Sequence, residues 1–301
     1  MKIAALKTQS TNLASARHRF AVDFAELVKA RLTLLVLLTT AVGFYLGARP
    51  PIDYLGLFHV VFGTAAAAAG AAALNQWWER RLDALMHRTR TRPIPAGRMP
   101  PLEAFVLGAV LSIFGVGYLA IVCNPLSAVL AGITIAIYIF GYTPLKRTST
   151  ANTAVGAIPG AIPPMIGWAA ARGTIDAGAW SLFAILVLWQ LPHFFAIAWM
   201  YRDDYSRAGF RMISSDDQSG ERSASQSVFF CILLLVIAGL PAFLGIATFV
   251  YLAIELVLGG VFVAVAMRFL RMRTAGSARL LFVTSIIYLP LLLGALALTK
   301  S

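Results

Sequence analysis

Ala73-Leu74-Asn75-Gln76-Trp77-Trp78-Glu79-Arg80-Arg81-Leu82-Asp83-Ala84-Leu85-Met86-His87-Arg88-Thr89-Arg90-Thr91-Arg92-Pro93 closes an apolar run over residues 55–78 and opens the most charged stretch of the chain. A run of that length crosses the ~30 Å hydrocarbon core of a bilayer as a helix. Reading outward, the same kind of run recurs at 32–48, 102–123, 125–142, 154–171, 178–200, 227–248, 250–267 and 279–298. In lipid every backbone amide needs an internal partner, so these runs are helices. The expected fold is all-α, a polytopic membrane protein of about nine transmembrane helices. Of the 301 residues 59% are hydrophobic and 13% charged, against about half and about a quarter in a soluble domain. That excludes a soluble enzyme, an unstructured chain, and a collagenous or disulfide-stapled one.

Charge gives direction. The net charge is +12, and in a membrane protein a basic excess reflects loop orientation rather than nucleic acid. Alternate compartments hold 22 and 3 of the 25 lysines and arginines. The imbalance puts the N-terminus in the cytoplasm and the C-terminus outside. Residues 1–24 read as a polar, basic tail with no apolar core of a signal peptide, and residues 25–300 as a single transmembrane domain. Cys123 and Cys231 lie in or beside apolar runs and read as core residues. Pro159, Pro163, Pro164 and Pro192 fall inside spans and predict kinks.

Asn75, Glu79 and Asp83 are spaced i, i+4, i+8 and so align on one helical face. An oxygen column at a membrane boundary suits Mg²⁺, which takes one or two carboxylates and completes its shell with substrate phosphates. Arg88, Arg90 and Arg92 follow, and guanidinium groups grip phosphate oxygens in pairs. Together these suit a diphosphate. Interfacial ion pairs and loop topology explain any one of the residues, but not the set beginning inside the hydrophobic run. Asp203 and Asp204, after the sixth run, offer a second acidic pair on the same side, although helix capping also accounts for them. Lys146 and Arg147 add cations to the same rim. His193 lies in an apolar stretch beside Pro192; a buried histidine serves as hydrogen-bonded structure or as a haem ligand. No GxxxxGK[ST], HExxH, CxxC or GxSxG pattern occurs, so nucleotide hydrolysis, zinc proteolysis, dithiol redox and serine hydrolysis lack support.

Asn75…Glu79…Asp83 followed by Met86-His87-Arg88-Thr89-Arg90-Thr91-Arg92-Pro93 resembles the first acidic motif of the UbiA-type intramembrane prenyltransferases, in the version of their haem-farnesylating branch. Tyr142-Thr143-Pro144-Leu145-Lys146-Arg147, Pro163-Pro164-Met165-Ile166-Gly167-Trp168, Trp189-Gln190-Leu191-Pro192-His193 and Asp204-Tyr205-Ser206-Arg207-Ala208-Gly209 are similar to further stretches of that branch. The resemblance implies helices around a central cavity opening toward the cytoplasmic side. It implies transfer of a farnesyl group from farnesyl diphosphate to the 2-vinyl group of haem B, with water addition, giving haem O and diphosphate. It assigns Mg²⁺ and the diphosphate to Asn75, Glu79 and Asp83, and phosphate contacts to Arg88, Arg92, Lys146 and Arg147. Substrate contacts fall to Tyr142, Trp189, His193, Asp203, Asp204 and Arg207, with His193 the candidate haem ligand and His87 a weaker one. Glu79 departs from the family, which commonly carries Asp there.

The resemblance also implies a bacterial inner membrane, membrane lipid as surroundings, and a downstream haem-modifying enzyme or oxidase assembly factors as partners. Two rival readings are a related prenyltransferase acting on an aromatic quinone precursor and an ion-coupled transporter. A transporter calls for acidic groups near mid-bilayer, whereas here they crowd one rim and the late spans contain mainly Glu255.

Overall fold

A computed structural model describes residues 20–301. Of the tail expected over 1–24, residues 1–19 lie outside the described residues, and 20–27 are helical. Among the described residues nine helices are long and apolar enough to cross a membrane: α1 Ala30–Gly47, α2 Tyr54–Asp83, α3 Pro101–Cys123, α4 Pro125–Leu145, α5 Asn152–Arg172, α6 Ala177–Met200, α7 Glu221–Phe243, α8 Phe249–Met272 and α9 Ala275–Leu298. Their outer faces carry exposed Leu34, Ile113, Ile121 and Val257, the side chains a lipid environment accommodates. Trp168, Tyr251, Phe262 and Phe269 fill the interior.

Small residues set the closest crossings. α1 packs on the second half of α5, where a Cβ on Gly43 would stand 2.0 Å from the Pro164 carbonyl oxygen and one on Gly167 1.9 Å from that of Thr40. α2 packs on α3, α6 on α7 and α9, and α8 between α7 and α9. α5 breaks at Ile162, before Pro163-Pro164, because neither proline has an N–H to give the preceding turn. Pro192, in contrast, stays within continuous α6.

At one end of the bundle the last carbonyls of α1 are capped by cations: Arg172 Nε donates to Gly47 O at 2.7 Å, and Lys300 Nζ to Tyr45 O and Ala48 O at 2.6 Å each. At the other end α2 runs past its apolar run to Asp83. Its last turns therefore hold the acidic column rigidly, on the one helical face that the i, i+4, i+8 spacing predicts.

Candidate active site

Asn75, Glu79 and Asp83 are 0%, 4% and 1% exposed, and each meets a cation or polar partner from elsewhere in the chain. Lys29 Nζ donates to Asn75 Oδ1 at 2.7 Å, Lys146 Nζ to Glu79 Oε1 at 2.7 Å, and Arg92 to Asp83 Oδ2 at 2.7 Å. The three partners come from the residue before α1, the end of α4 and the α2–α3 loop. Lys29 reaches inward from a left-handed backbone, φ 50°, a conformation few non-glycine residues adopt. Asn75 also donates to Thr143 Oγ1 at 3.0 Å and accepts from the Tyr138 hydroxyl at 3.3 Å.

The two lysines differ in electrostatics. Burial pushes Lys29 down to about 7, helped by the positive charges of Arg92 and Lys146. Burial acts the same way on Lys146, but the adjacent Glu79 carboxylate outweighs it and holds the ammonium above the usual lysine range. Lys146 also lies 4.4 Å from the centre of the Tyr142 ring.

These groups form the polar end of a cavity of about 430 Å³, within the range of small-molecule sites. Lys29, Glu79, Asp83, Arg88, Arg92, Tyr142, Lys146 and His193 line it. Its apolar part is made by Leu32, Val36, Ala68, Ala71, Ala72, Phe194 and Ile197. The alanines of α2 open the space, and the cavity is amphiphilic along its length.

Other expected residues stand elsewhere. Asn75 lies behind the lining with its amide oxygen held by Lys29, so of the expected trio only Glu79 and Asp83 reach the cavity. Asp203 is 86% exposed at its side chain, and Arg147 is exposed. Trp189 is buried in the helix packing, its indole N–H donating to Ser285 O at 2.8 Å. Asp204 tethers loops: it accepts from the backbone N–H groups of His87 and Arg88 at 3.4 and 3.3 Å and pairs with Arg207. Burial raises its carboxyl, yet the hydrogen bonds of Arg207 and the two amides prevail and set it below the usual aspartate value. Arg88 in turn donates to the Tyr205 hydroxyl at 3.3 Å.

The lining also includes Lys29, Tyr138 and Asn152, which the sequence does not single out, and Gln190 and Tyr205, which stand in its motifs without an expected role. Tyr138 had a signal, since Tyr138, Tyr142 and Lys146 repeat the four-residue spacing of the acidic column. Lys29 reads in sequence only as a topological charge before a span.

Divalent metal fits this donor set in one specific way. Among the described residues no group of three or more His, Cys, Asp and Glu could hold an ion. The buried Asp83 Oδ1 has no hydrogen-bond partner, which costs about 1–3 kcal/mol if nothing binds it. Glu79 and Asp83 thus offer two carboxylates to an ion whose other ligands are water and phosphate oxygens, the pattern of Mg²⁺.

The model of the UbiA prenyltransferase family matches residues 36–293. The chain is 44% identical over 287 residues to a protein of Solibacter usitatus named Protoheme IX farnesyltransferase, covering 92% of this chain and 98% of that one. A protein of the same name from Opitutus terrae is 46% identical, with 92% and 94% covered. Among solved structures, one described as digeranylgeranylglyceryl phosphate synthase superposes with a TM-score of 0.78 at 17% identity, covering 93% of this chain and 98% of that one. A UbiA homolog from Archaeoglobus fulgidus bound to GPP and Mg²⁺ gives 0.66 at 12% identity, covering 91% and 99%.

Proposed function

The chain belongs to the UbiA prenyltransferase family, and we propose that it transfers the farnesyl group of farnesyl diphosphate to the 2-vinyl group of haem B, with water addition, giving haem O and diphosphate. The observation that carries this reading is the amphiphilic cavity, cationic at one end and alanine-lined beyond. Its shape suits a prenyl diphosphate, whose charged head and hydrocarbon tail need opposite surroundings. The names of the relatives supply the acceptor.

Four cations of the lining, Lys29, Arg88, Arg92 and Lys146, face two carboxylates, Glu79 and Asp83. The surplus is positive and stabilises the charge that gathers on a departing diphosphate. Lys146 and Arg92 are already oriented by their carboxylate partners, so little reorganisation is needed when the substrate arrives. When bound between Glu79 and Asp83, Mg²⁺ would neutralise phosphate charge as a Lewis acid. The apolar walls keep bulk water from the allylic carbon, where an early water would give farnesol instead of transfer. His193, at the wall, would meet the haem. The cavity end lies toward the cytoplasm of a bacterial inner membrane in this reading, and Asp204 with Arg207 hold the loops over its mouth.

The test is incubation of the purified protein with haem B, farnesyl diphosphate and Mg²⁺, followed by mass spectrometry of the extracted porphyrin. A mass gain of one farnesyl plus one hydroxyl is expected. An unchanged porphyrin from folded protein overturns the reading; prenylation of an aromatic quinone precursor instead would move it to the other branch.

A further inference from the structure

We infer that Ser285 of α9 is a positioning residue that fixes the tautomer of His193 and so presents the Nε2 lone pair to the iron of the haem substrate. The identity of that ligand rests on the farnesyl-transfer reading; the tautomer rests on geometry alone. His193 Nδ1 lies 2.7 Å from Ser285 Oγ. The Ser285 hydroxyl donates to the Phe282 carbonyl at 2.6 Å. A hydroxyl has one proton to give, and that proton is already directed at a carbonyl. Toward the imidazole the serine oxygen therefore accepts, and Nδ1 carries the hydrogen. The neutral ring then has its lone pair on Nε2.

The ring has little freedom to reverse this. It stacks with Trp189, 5.2 Å between centroids at 24°, and with Phe282, 4.9 Å at 29°. Ser285 also anchors the first of these, its carbonyl accepting the Trp189 indole N–H. With Nδ1 engaged by α9, Nε2 is the nitrogen left for the cavity that His193 lines. His193 is the histidine of the cavity lining, whereas His59 bonds the Tyr118 hydroxyl and His87 is exposed on its loop. Metal-bound histidines characteristically donate their other N–H to an oxygen, which sets tautomer and orientation, and loss of that partner costs about 10–100-fold in affinity.

The experiment has two arms on the full chain in lipid nanodiscs. In the first, ¹⁵N-histidine NMR without substrate is expected to find His193 protonated at Nδ1 and bare at Nε2, with Ser285→Ala moving the proton toward Nε2. A wild-type ring protonated at Nε2 overturns the inference whatever the substrate. In the second, haem B is titrated while the Soret band is followed. Wild type should give an imidazole-ligated spectrum, Ser285→Ala about 10–100-fold weaker binding, and His193→Gln no such spectrum. Circular dichroism and unchanged affinity for a farnesyl diphosphate analogue show that Ser285→Ala is folded. If wild type farnesylates haem while Ser285→Ala shifts neither tautomer nor haem affinity, the inference fails and the proposed function stands. If the tautomer shifts as expected but haem is neither bound nor converted, the proposed function fails and the iron assignment falls with it.

Discussion

Lys29 and Lys146 share one cavity, yet only Lys29 titrates near neutrality. Lys146 is locked as a cation by Glu79, while burial brings Lys29 to about 7. A bound diphosphate raises Lys29 again, so binding favours its protonated form. Affinity for the diphosphate is then full below about pH 7 and falls above it, approaching tenfold per pH unit. Lys29→Arg should flatten that decline, which a KM for farnesyl diphosphate measured from pH 6 to 9 will read. Asp83 offers a second test. Truncation to alanine also strands the partly buried Arg92, and losing one member of a buried pair costs about 3–5 kcal/mol. Asp83→Asn keeps the shape and the contact while removing the charge. Turnover should fall by about 10²–10³, the scale of losing one preorganised charge-stabilising group, with the thermal midpoint little changed and the Mg²⁺ requirement raised. Near-normal turnover in Asp83→Asn would remove this carboxylate from the machinery.

Between elements, the site depends on the α1–α5 crossing and on the loops over the cavity. Gly167 touches the backbone of α1, where the Thr40 carbonyl has no rotamer by which to withdraw. Gly167→Ala should therefore destabilise by at least the about 1–3 kcal/mol of ordinary overpacking, seen as a lowered thermal midpoint in nanodiscs. Asp204 bears on function instead: it holds the His87 and Arg88 amides and so the entry of Arg88 into the cavity. Hydrogen bonds to a charged group contribute about 1.5–3 kcal/mol, so Asp204→Asn should lower kcat/KM by about ten- to a hundredfold while proteolysis in the α2–α3 loop accelerates. The acidic column was legible in sequence because it lies on one helix, where spacing alone sets the face. Tyr142 and Lys146 were legible through the motif that ends the fourth run, whereas Tyr138, one turn earlier with the same spacing, stood inside the apolar run. Lys29 and Asn152 were not legible, since only the tertiary fold brings them to the cavity, and Tyr205 stood in a motif that gave it no role of its own. Asp203 and Asp204 are neighbours of identical chemistry, and only the pitch of the short helix Arg202–Arg207 turns one outward and the other onto the loop.

Across the whole molecule, charge and chemistry coincide at one end. Glu79, Asp83, Arg92 and Lys146 lie at the end of the bundle where the connections hold most of the basic residues; at the opposite end Arg172 and Lys300 are spent on the carbonyls of α1. Moving basic loops across a bilayer is opposed during insertion, so the proposed orientation keeps the basic end in the cytoplasm. In that orientation the cavity would open where a water-borne diphosphate headgroup and Mg²⁺ are supplied and where the released diphosphate is returned. If all nine helices cross, the two ends of the described chain lie on opposite sides. A reporter that is active only outside the cytoplasm, fused after Ser301, should be active, and one that fluoresces only in the cytoplasm should be dark at the same position. Fusions within the α2–α3 loop should behave the opposite way. Should both positions report the cytoplasm, one of the nine helices does not cross, and the cavity could not be held between α2, α4 and α6 as a membrane-embedded chamber.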